Sequence, residues 1–271
     1  MPHATLMLDH PAWTTTPDGR CVRACRTGET VATVIGVPTE TGHGHTVDLV
    51  APGGAPTPVI DIVDPAGASG PEEIVAPLRA DGPVGRVRNP DLWDALTTSA
   101  IRQVIRADQA RKLHRGFREA HGLAVDTAAG RVFLMPDPDT VSALSDAEFA
   151  RVGLKFFRRV LRACADWYRK CADDWAQMTA PELVTALQAV PRIGPWSAGA
   201  TVADHTGDFT YYPHSDLAVR TWAAHLAPTH AWPDDDRGFA AHWRDITGDH
   251  LSDLTLLTLA WGVRHARGAT A

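Results

Sequence analysis

The stretch from Leu187 to Ala198 reads Leu-Gln-Ala-Val-Pro-Arg-Ile-Gly-Pro-Trp-Ser-Ala, and it restricts the fold more than any other part of the 271-residue chain. An apolar helix end runs into Pro191, a short loop closes at Gly194, and Pro195 opens a second helix, where its fixed φ and missing N–H do no harm. Ser197, Ala198, Gly199 and Ala200 then give that helix a thin face for close packing. A helix–hairpin–helix of this kind points successive backbone N–H groups, at the positive end of a helix, toward one spot. That spot suits an anion such as a nucleic-acid phosphate, with Arg192, Ile193, Gly194 and Ser197 nearest to it. A bare helical turn accounts for the same residues with no ligand at all.

The surroundings of the hairpin are helical too. Asn89-Pro90 precedes a helix with Asp91 and Asp94 near its positive end and an apolar stripe of Trp93, Leu96, Ile101, Val104 and Ile105. A second helix is predicted from Asp108 to His121, ending on Gly122 as a left-handed stop. A hairpin over Leu123–Leu134 turns at Ala129-Gly130. Ser145-Asp146-Ala147-Glu148 is a capping box, Lys155–Cys171 a longer helix, and Thr179-Ala180-Pro181-Glu182 the start of another.

Residues 1–87 read differently. Cys21–Cys25, Val31–Val37 and Thr46–Val50 are β-branched runs between turn residues, and 51–90 is rich in Pro, Gly and Ala, including Pro52-Gly53-Gly54, with one short helix near Glu72–Leu78. The expected fold is therefore mainly α, α+β overall: a small β-rich N-terminal domain over 1–87, then a helical core of two subdomains over 88–271. The chain carries 44% hydrophobic and 21% charged residues, which excludes wholesale disorder. No apolar run reaches the ~20 residues a membrane span needs, no secretory leader is visible, and four cysteines are too few for a disulfide scaffold. A reduced, cytoplasmic, nucleoid-associated monomer is the expectation. Net charge is −6, yet residues 86–170 carry 16 basic against 10 acidic side chains, and salt makes the local field the relevant one. Solvated helix faces would explain the same excess.

Shortly after the hairpin comes Tyr212-Pro213-His214-Ser215-Asp216-Leu217-Ala218-Val219-Arg220. Together, residues 187–220 resemble the helix-hairpin-helix DNA glycosylases, in particular the 3-methyladenine DNA glycosylase II branch. There the hairpin reads Leu-Pro-Gly-Ile-Gly-Pro-Trp-Thr-Ala and the later segment Phe-Pro-x-x-Asp-Leu-x-Leu-Arg. The likeness extends over roughly residues 88–265. It implies that Asp216 is the catalytic aspartate. Chemistry agrees, since breaking a base–deoxyribose bond builds an oxocarbenium-like sugar that a carboxylate stabilises, and a carboxylate can also direct the attacking water. A helix N-cap is the competing reading of Asp216. The resemblance further implies that Trp196, with Tyr212 and His214, stands at the base pocket and that Gln103, with Val104 beside it, fills the gap left by an extruded nucleotide; plain packing of Trp196, a solvated loop histidine and an exposed helical glutamine are the competing readings. It places Arg192, Ile193, Gly194, Ser197 and Arg220 against DNA, with Arg102, Arg106, Lys155, Arg158 and Arg159 as further phosphate candidates.

Some family members attack with a lysine two residues after the hairpin's last glycine. That position is Trp196 here, and no lysine follows Lys170, so strand cleavage by that route is not expected. No cysteine follows Cys171, which excludes the four-cysteine iron–sulfur cluster of some relatives; no cofactor or metal is expected beyond a monovalent cation at the hairpin. Cys21/Cys25 and Cys164/Cys171 read as core, and His43/His45 and Asp234-Asp235-Asp236 as a turn and a solvated loop. Two departures stand out: Arg192 replaces the hairpin's first glycine, and the pocket looks poorer in aromatics than in the relatives. The expected activity is a monofunctional DNA N-glycosylase acting on alkylated or otherwise modified bases in double-stranded DNA. Alternatives are a specialised enzyme for bulky adducts or an unusual base, and a non-catalytic DNA-binding protein.

Overall fold

The computed structural model describes residues 4–39, 45–51 and 56–268, the side chains of 266–268 excepted; His43 and Pro52–Gly54 lie outside the described residues. The N-terminal part runs through β1 (Thr5–Leu6), β2 (Thr14–Thr15), β3 (Cys21–Thr27), β4 (Thr30–Pro38), β5 (His45–Val50), β6 (Ile60–Val63), α1 (Glu72–Asp81) and β7 (Val84–Val87). β2-β3-β4-β5 form an antiparallel meander in which Val22 faces Ile35 and Cys25 faces Ala32. β7 lies between β1, to which it is parallel, and β6. One face of β3–β4 (Cys21, Cys25, Val34) packs on Leu6, Trp13 and Val87, and the other (Val22, Ala24, Ile35) on Ala129, Val132 and Leu134. Cover on both faces explains why these strands read as continuous apolar runs. It also makes Cys21 and Cys25 core residues.

The helical part comprises α2 (Leu92–Arg102), α3 (Ala107–His121), the hairpin β8 (Ala124–Thr127) and β9 (Gly130–Phe133), α4 (Pro138–Ala143), α5 (Asp146–Arg151), α6 (Arg158–Trp175), α7 (Ala180–Leu187), α8 (Pro195–Thr206), α9 (Leu217–Leu226), α10 (Asp236–Thr247) and α11 (Leu251–Gly268). The capping boxes Ser145/Glu148 and Thr179/Glu182 form as the sequence predicts, and Asp91 caps α2 by accepting from the N–H groups of Trp93 and Asp94. The helix expected over 155–171 instead spans Arg158–Trp175, because buried Leu154 and Phe157 anchor the turn before it. Gly122 is no left-handed stop: its φ is −82°. A Cβ there would lie 2.0 Å from the Leu134 carbonyl oxygen, so glycine is required by the close passage of the β8–β9 hairpin.

Two helical cores result. Leu96, Phe117, Phe149, Leu161 and Leu187 belong to the first; Val219, Phe239, Trp243 and Leu257 belong to the second, together with Ile74, Val75 and Val84 from the N-terminal part. Helix α8 is the wall between them, giving Ala198 and Val202 to one and Ala200 and Ala203 to the other. Its small residues serve both sides at once.

A buried ionic cluster fastens the β-rich part to this wall. Arg86 pairs with Asp204 at 2.6 Å, Asn89 donates to Asp204 (2.7 Å) and Asp94 (3.1 Å), and Arg23 reaches Asp94 at 3.3 Å. The Ala12 N–H donates to His10 Nδ1, so the neutral ring carries its proton on Nε2, 3.4 Å from Asp94. Desolvation holds His10 and the equally buried His114 well below the ordinary imidazole range, aided by neighbouring guanidinium groups.

Candidate active site

The chain leaves α8 at left-handed Gly207 and makes a 3-10 turn over Phe209–Tyr211. The Tyr211 carbonyl comes so near α8 that a Cβ on Gly199 would lie 2.4 Å from its oxygen. This contact sets residues 212–216 beside the 190–195 hairpin. Tyr212 is buried, stacks on Phe209 at 5.6 Å, and donates its hydroxyl to Asp216 Oδ2 at 2.5 Å. Burial, and then the Asp216 charge, push the Tyr212 phenol well above its ordinary value, so it remains a donor at neutral pH. Asp216 occupies the N-cap position of α9, yet its side chain makes no cap bond. The capping role considered from sequence is thus not taken up; the carboxylate is turned to Tyr212.

Asp216 lines a cleft of about 970 Å³ between the two helical groups, with Gln103, Val104, Trp196, Leu217 and Trp222. A second, more enclosed cavity of about 340 Å³ adjoins it and is walled by Met7, Asp9, Tyr212, Trp222 and Leu259. Arg102, Ala218 and Trp222 line both.

The hairpin closes through the Ile193 N–H on the Val190 carbonyl (3.0 Å), with Ile193 buried as its anchor. Arg192 has φ +74°, the left-handed conformation a glycine adopts freely, so the loop keeps a glycine's backbone path despite its side chain. The first bond of α8 runs from the Ala198 N–H to the Gly194 carbonyl, which leaves the N–H groups of Trp196 and Ser197 outside the helical ladder. Across the cleft, Gln103 Oε1 lies 3.4 Å from Ser197 Oγ. Val104 next to it is 96% exposed and has φ +56°, a strained conformation for a β-branched residue.

Two expected site residues are elsewhere. His214 is buried with Nε2 3.3 Å from the Phe209 carbonyl oxygen and does not line the cleft; burial, with Arg244 nearby, lowers its pKa to about 4. Arg220 pairs with Asp236 and donates to the Asp234 carbonyl, so the acidic run 234–236 holds this arginine, and Asp235 caps α10 through the Gly238 N–H. Arg158, a phosphate candidate, is tied to Asp146. In the other direction, the cleft gains a tryptophan that the sequence reading missed. Trp222 follows Ala218 by four residues on α9, and that i, i+4 spacing from the Asp216 segment was its one signal. Met7 and Asp9 carry no such signal. Among the described residues no group of three or more His, Cys, Asp or Glu could hold a metal ion, and no helix is long and apolar enough to cross a membrane.

No protein-family pattern and no curated protein matches the sequence. Solved structures do. A 3-methyladenine DNA-glycosylase from Archaeoglobus fulgidus superimposes with a TM-score of 0.71 at 14% identity, over 97% of this chain and 97% of that one. The 8-oxoguanine glycosylase/lyase of Clostridium acetobutylicum, in complex with double-stranded DNA, gives 0.67 at 14% identity over 96% and 90%. A DNA-3-methyladenine glycosidase from Bacillus halodurans gives 0.53 at 16% identity over 76% and 94%. The chain has the helix-hairpin-helix fold of these proteins, N-terminal β region included.

Proposed function

We propose that this chain, built on the helix-hairpin-helix glycosylase fold, is a DNA N-glycosylase that removes modified bases, alkylated purines foremost, from double-stranded DNA by hydrolysis. The observation that carries the reading is Asp216: a carboxylate freed from its helix, oriented by Tyr212, on the wall of a cleft that adjoins a narrower cavity. The hairpin N–H groups and Arg192 hold the DNA backbone, Val104 enters the stack, and the extruded base passes Asp216 into the cavity against Trp222. As the bond from C1′ to the base nitrogen breaks, its electron pair leaves with the base. Asp216 stabilises the cationic sugar and takes a proton from the water whose oxygen bonds to C1′. Water is the nucleophile, so the step asks nothing of a redox group or metal; a monovalent cation at the hairpin would act on DNA binding only.

The reading is monofunctional because Trp196 stands where a lysine nucleophile would. Asp216→Asn is expected to keep the fold and the affinity for an abasic-site duplex while slowing base release at least ~100-fold. Strands should break only after alkali, and borohydride should trap no enzyme–DNA adduct. Near-normal release by Asp216→Asn would overturn the catalytic assignment and leave the DNA-binding alternative.

A further inference from the structure

The 340 Å³ cavity next to Asp216 is mostly apolar, with Met7, Pro11, Trp222 and Leu259 among its walls, but two arginines face it together with Asp9 and Asp108. Arg111 is engaged: its guanidinium lies 3.4 Å from the Leu8 carbonyl oxygen and 3.5 Å from that of Asp9. Arg102 is different. It lines both the cavity and the cleft, it is half-buried at the end of α2, and among the described residues no hydrogen bond or ion pair engages its side chain. The carboxylates nearby do not claim it. Asp216 accepts from Tyr212, Asp9 lies 3.5 Å from Arg86, and Asp108 lies 3.4 Å from Arg106.

An unpaired guanidinium beside apolar walls is an unfinished recognition site. It offers several donors in one plane and a fixed positive charge. A base that already carries a positive charge meets a like charge at this fork and offers it no added acceptor, while Asp9 and Asp108 on the same walls leave the cavity without a net positive field. A neutral purine with acceptors side by side, O6 and N7, matches the fork of donors. Such a base is also the one that needs help to leave. A neutral base departs with the electron pair of the C1′–N9 bond and therefore as an anion, which solvent then protonates, whereas a cationic base departs neutral.

We propose that Arg102 is the specificity-determining residue of this pocket, donating to the O6/N7 edge of a neutral, carbonyl-bearing purine and stabilising the negative charge that builds on it as the bond breaks. This rests on the glycosylase reading above and, within modified bases, puts uncharged oxopurines in the place given there to alkylated purines.

The test is single-turnover base release by the full chain and by Arg102→Ala and Arg102→Lys from two duplexes, one with hypoxanthine and one with 3-methyladenine. A companion titration uses a duplex with an abasic-site analogue, which has no base to read. Arg102→Ala is expected to shift the hypoxanthine to 3-methyladenine rate ratio about ten- to a hundredfold against hypoxanthine, the scale of a lost two-donor contact. Arg102→Lys, which keeps the charge and loses the fork, should fall between. A ratio unmoved by either substitution overturns the proposal. So does weakened binding of the abasic duplex with a salt slope shallower by about one, which would make Arg102 a phosphate ligand. Release of 3-methyladenine alone, abolished by Asp216→Asn, would overturn the proposal and leave the glycosylase reading standing. No release from either duplex would remove both. Thermal unfolding of each variant, expected to match the parent, shows that the ratio is read on folded protein.

Discussion

Val104 and Arg192 are the non-glycine residues with left-handed backbone among those described, and both sit in loops that frame the cleft. An L-residue in this region costs roughly 1–2 kcal/mol, and glycine returns only part of that because it is looser when unfolded. Each glycine substitution should therefore raise stability by up to about 1 kcal/mol, read as a higher denaturant midpoint. Function should move the other way. Val104→Gly loses the side chain that fills the gap in the duplex, so base release should drop at least about tenfold, on the scale of unstacking a base step. Arg192→Gly keeps the loop shape and removes one charge; affinity should weaken alike for all sequences and the salt slope become shallower by about one. Unchanged base release in Val104→Gly would show that the strain serves no insertion. At the carboxylate, Tyr212→Phe keeps the stacking on Phe209 and deletes the donor to Asp216. We expect base release to slow roughly tenfold, the size of one hydrogen bond to a charged group, with affinity for an abasic duplex retained.

At the scale of elements, the cleft depends on how α2, α3, α8 and α9 are wedged apart, and small residues do much of that wedging. Gly199 lets the turn before Asp216 reach α8, and Gly122 lets β8–β9 cross the end of α3. Gly122→Ala would place a methyl 2.0 Å from the backbone oxygen of Leu134, which no side-chain rotation relieves. The expected loss is about 2 kcal/mol or more, measured by urea unfolding. The damage should spread, because Val132 and Leu134 cover one face of β3–β4. A loss below about 0.5 kcal/mol would mean that the hairpin moves aside without penalty.

For the molecule as a whole, the response to acid follows from its buried groups. His10 and His114 are held neutral well below the ordinary value of 6.5, and His214 at about 4. Once unfolded, all three bind protons below about pH 6.5, so the unfolded state holds more protons and stability is lost as pH falls from there toward 4. Asp91 works in the opposite sense. Burial raises its pKa to about 6, so it keeps a proton in the fold that the unfolded chain gives up, and it offsets one histidine between roughly pH 6 and 4. The net of about two protons corresponds to roughly 3 kcal/mol per pH unit at its steepest. Urea midpoints at pH 7, 6 and 5 should fall accordingly; a flat profile would contradict the burial of these histidines.

Helices α1 to α3 and α5 to α9 in outline, the capping boxes, the hairpin and its partner segment at 212–220 were legible in the sequence, because each depends on residues within a few positions of one another: caps on spacing of three, turns on proline and glycine, helix faces on periods of three and four; α4 and α10 were not read. The candidate carboxylate, Asp216, came from the resemblance of the 212–220 segment to the glycosylases; its local pattern alone pointed to a helix cap. What the sequence could not determine is which neighbour each polar group finds, since that depends on contacts across distant segments. Arg220 finds Asp236, and His214 the Phe209 carbonyl, so neither reaches the cleft. Asp216 finds Tyr212 in place of its own helix. Met7 and Asp9 become cavity walls through strand pairing between β1 and β7, two segments nearly 80 residues apart, beside Arg102, whose side chain finds no hydrogen bond or ion pair among the described residues. Local order is set by local chemistry; the pocket is a tertiary product, because it is the space that two cores and one shared helix leave between them.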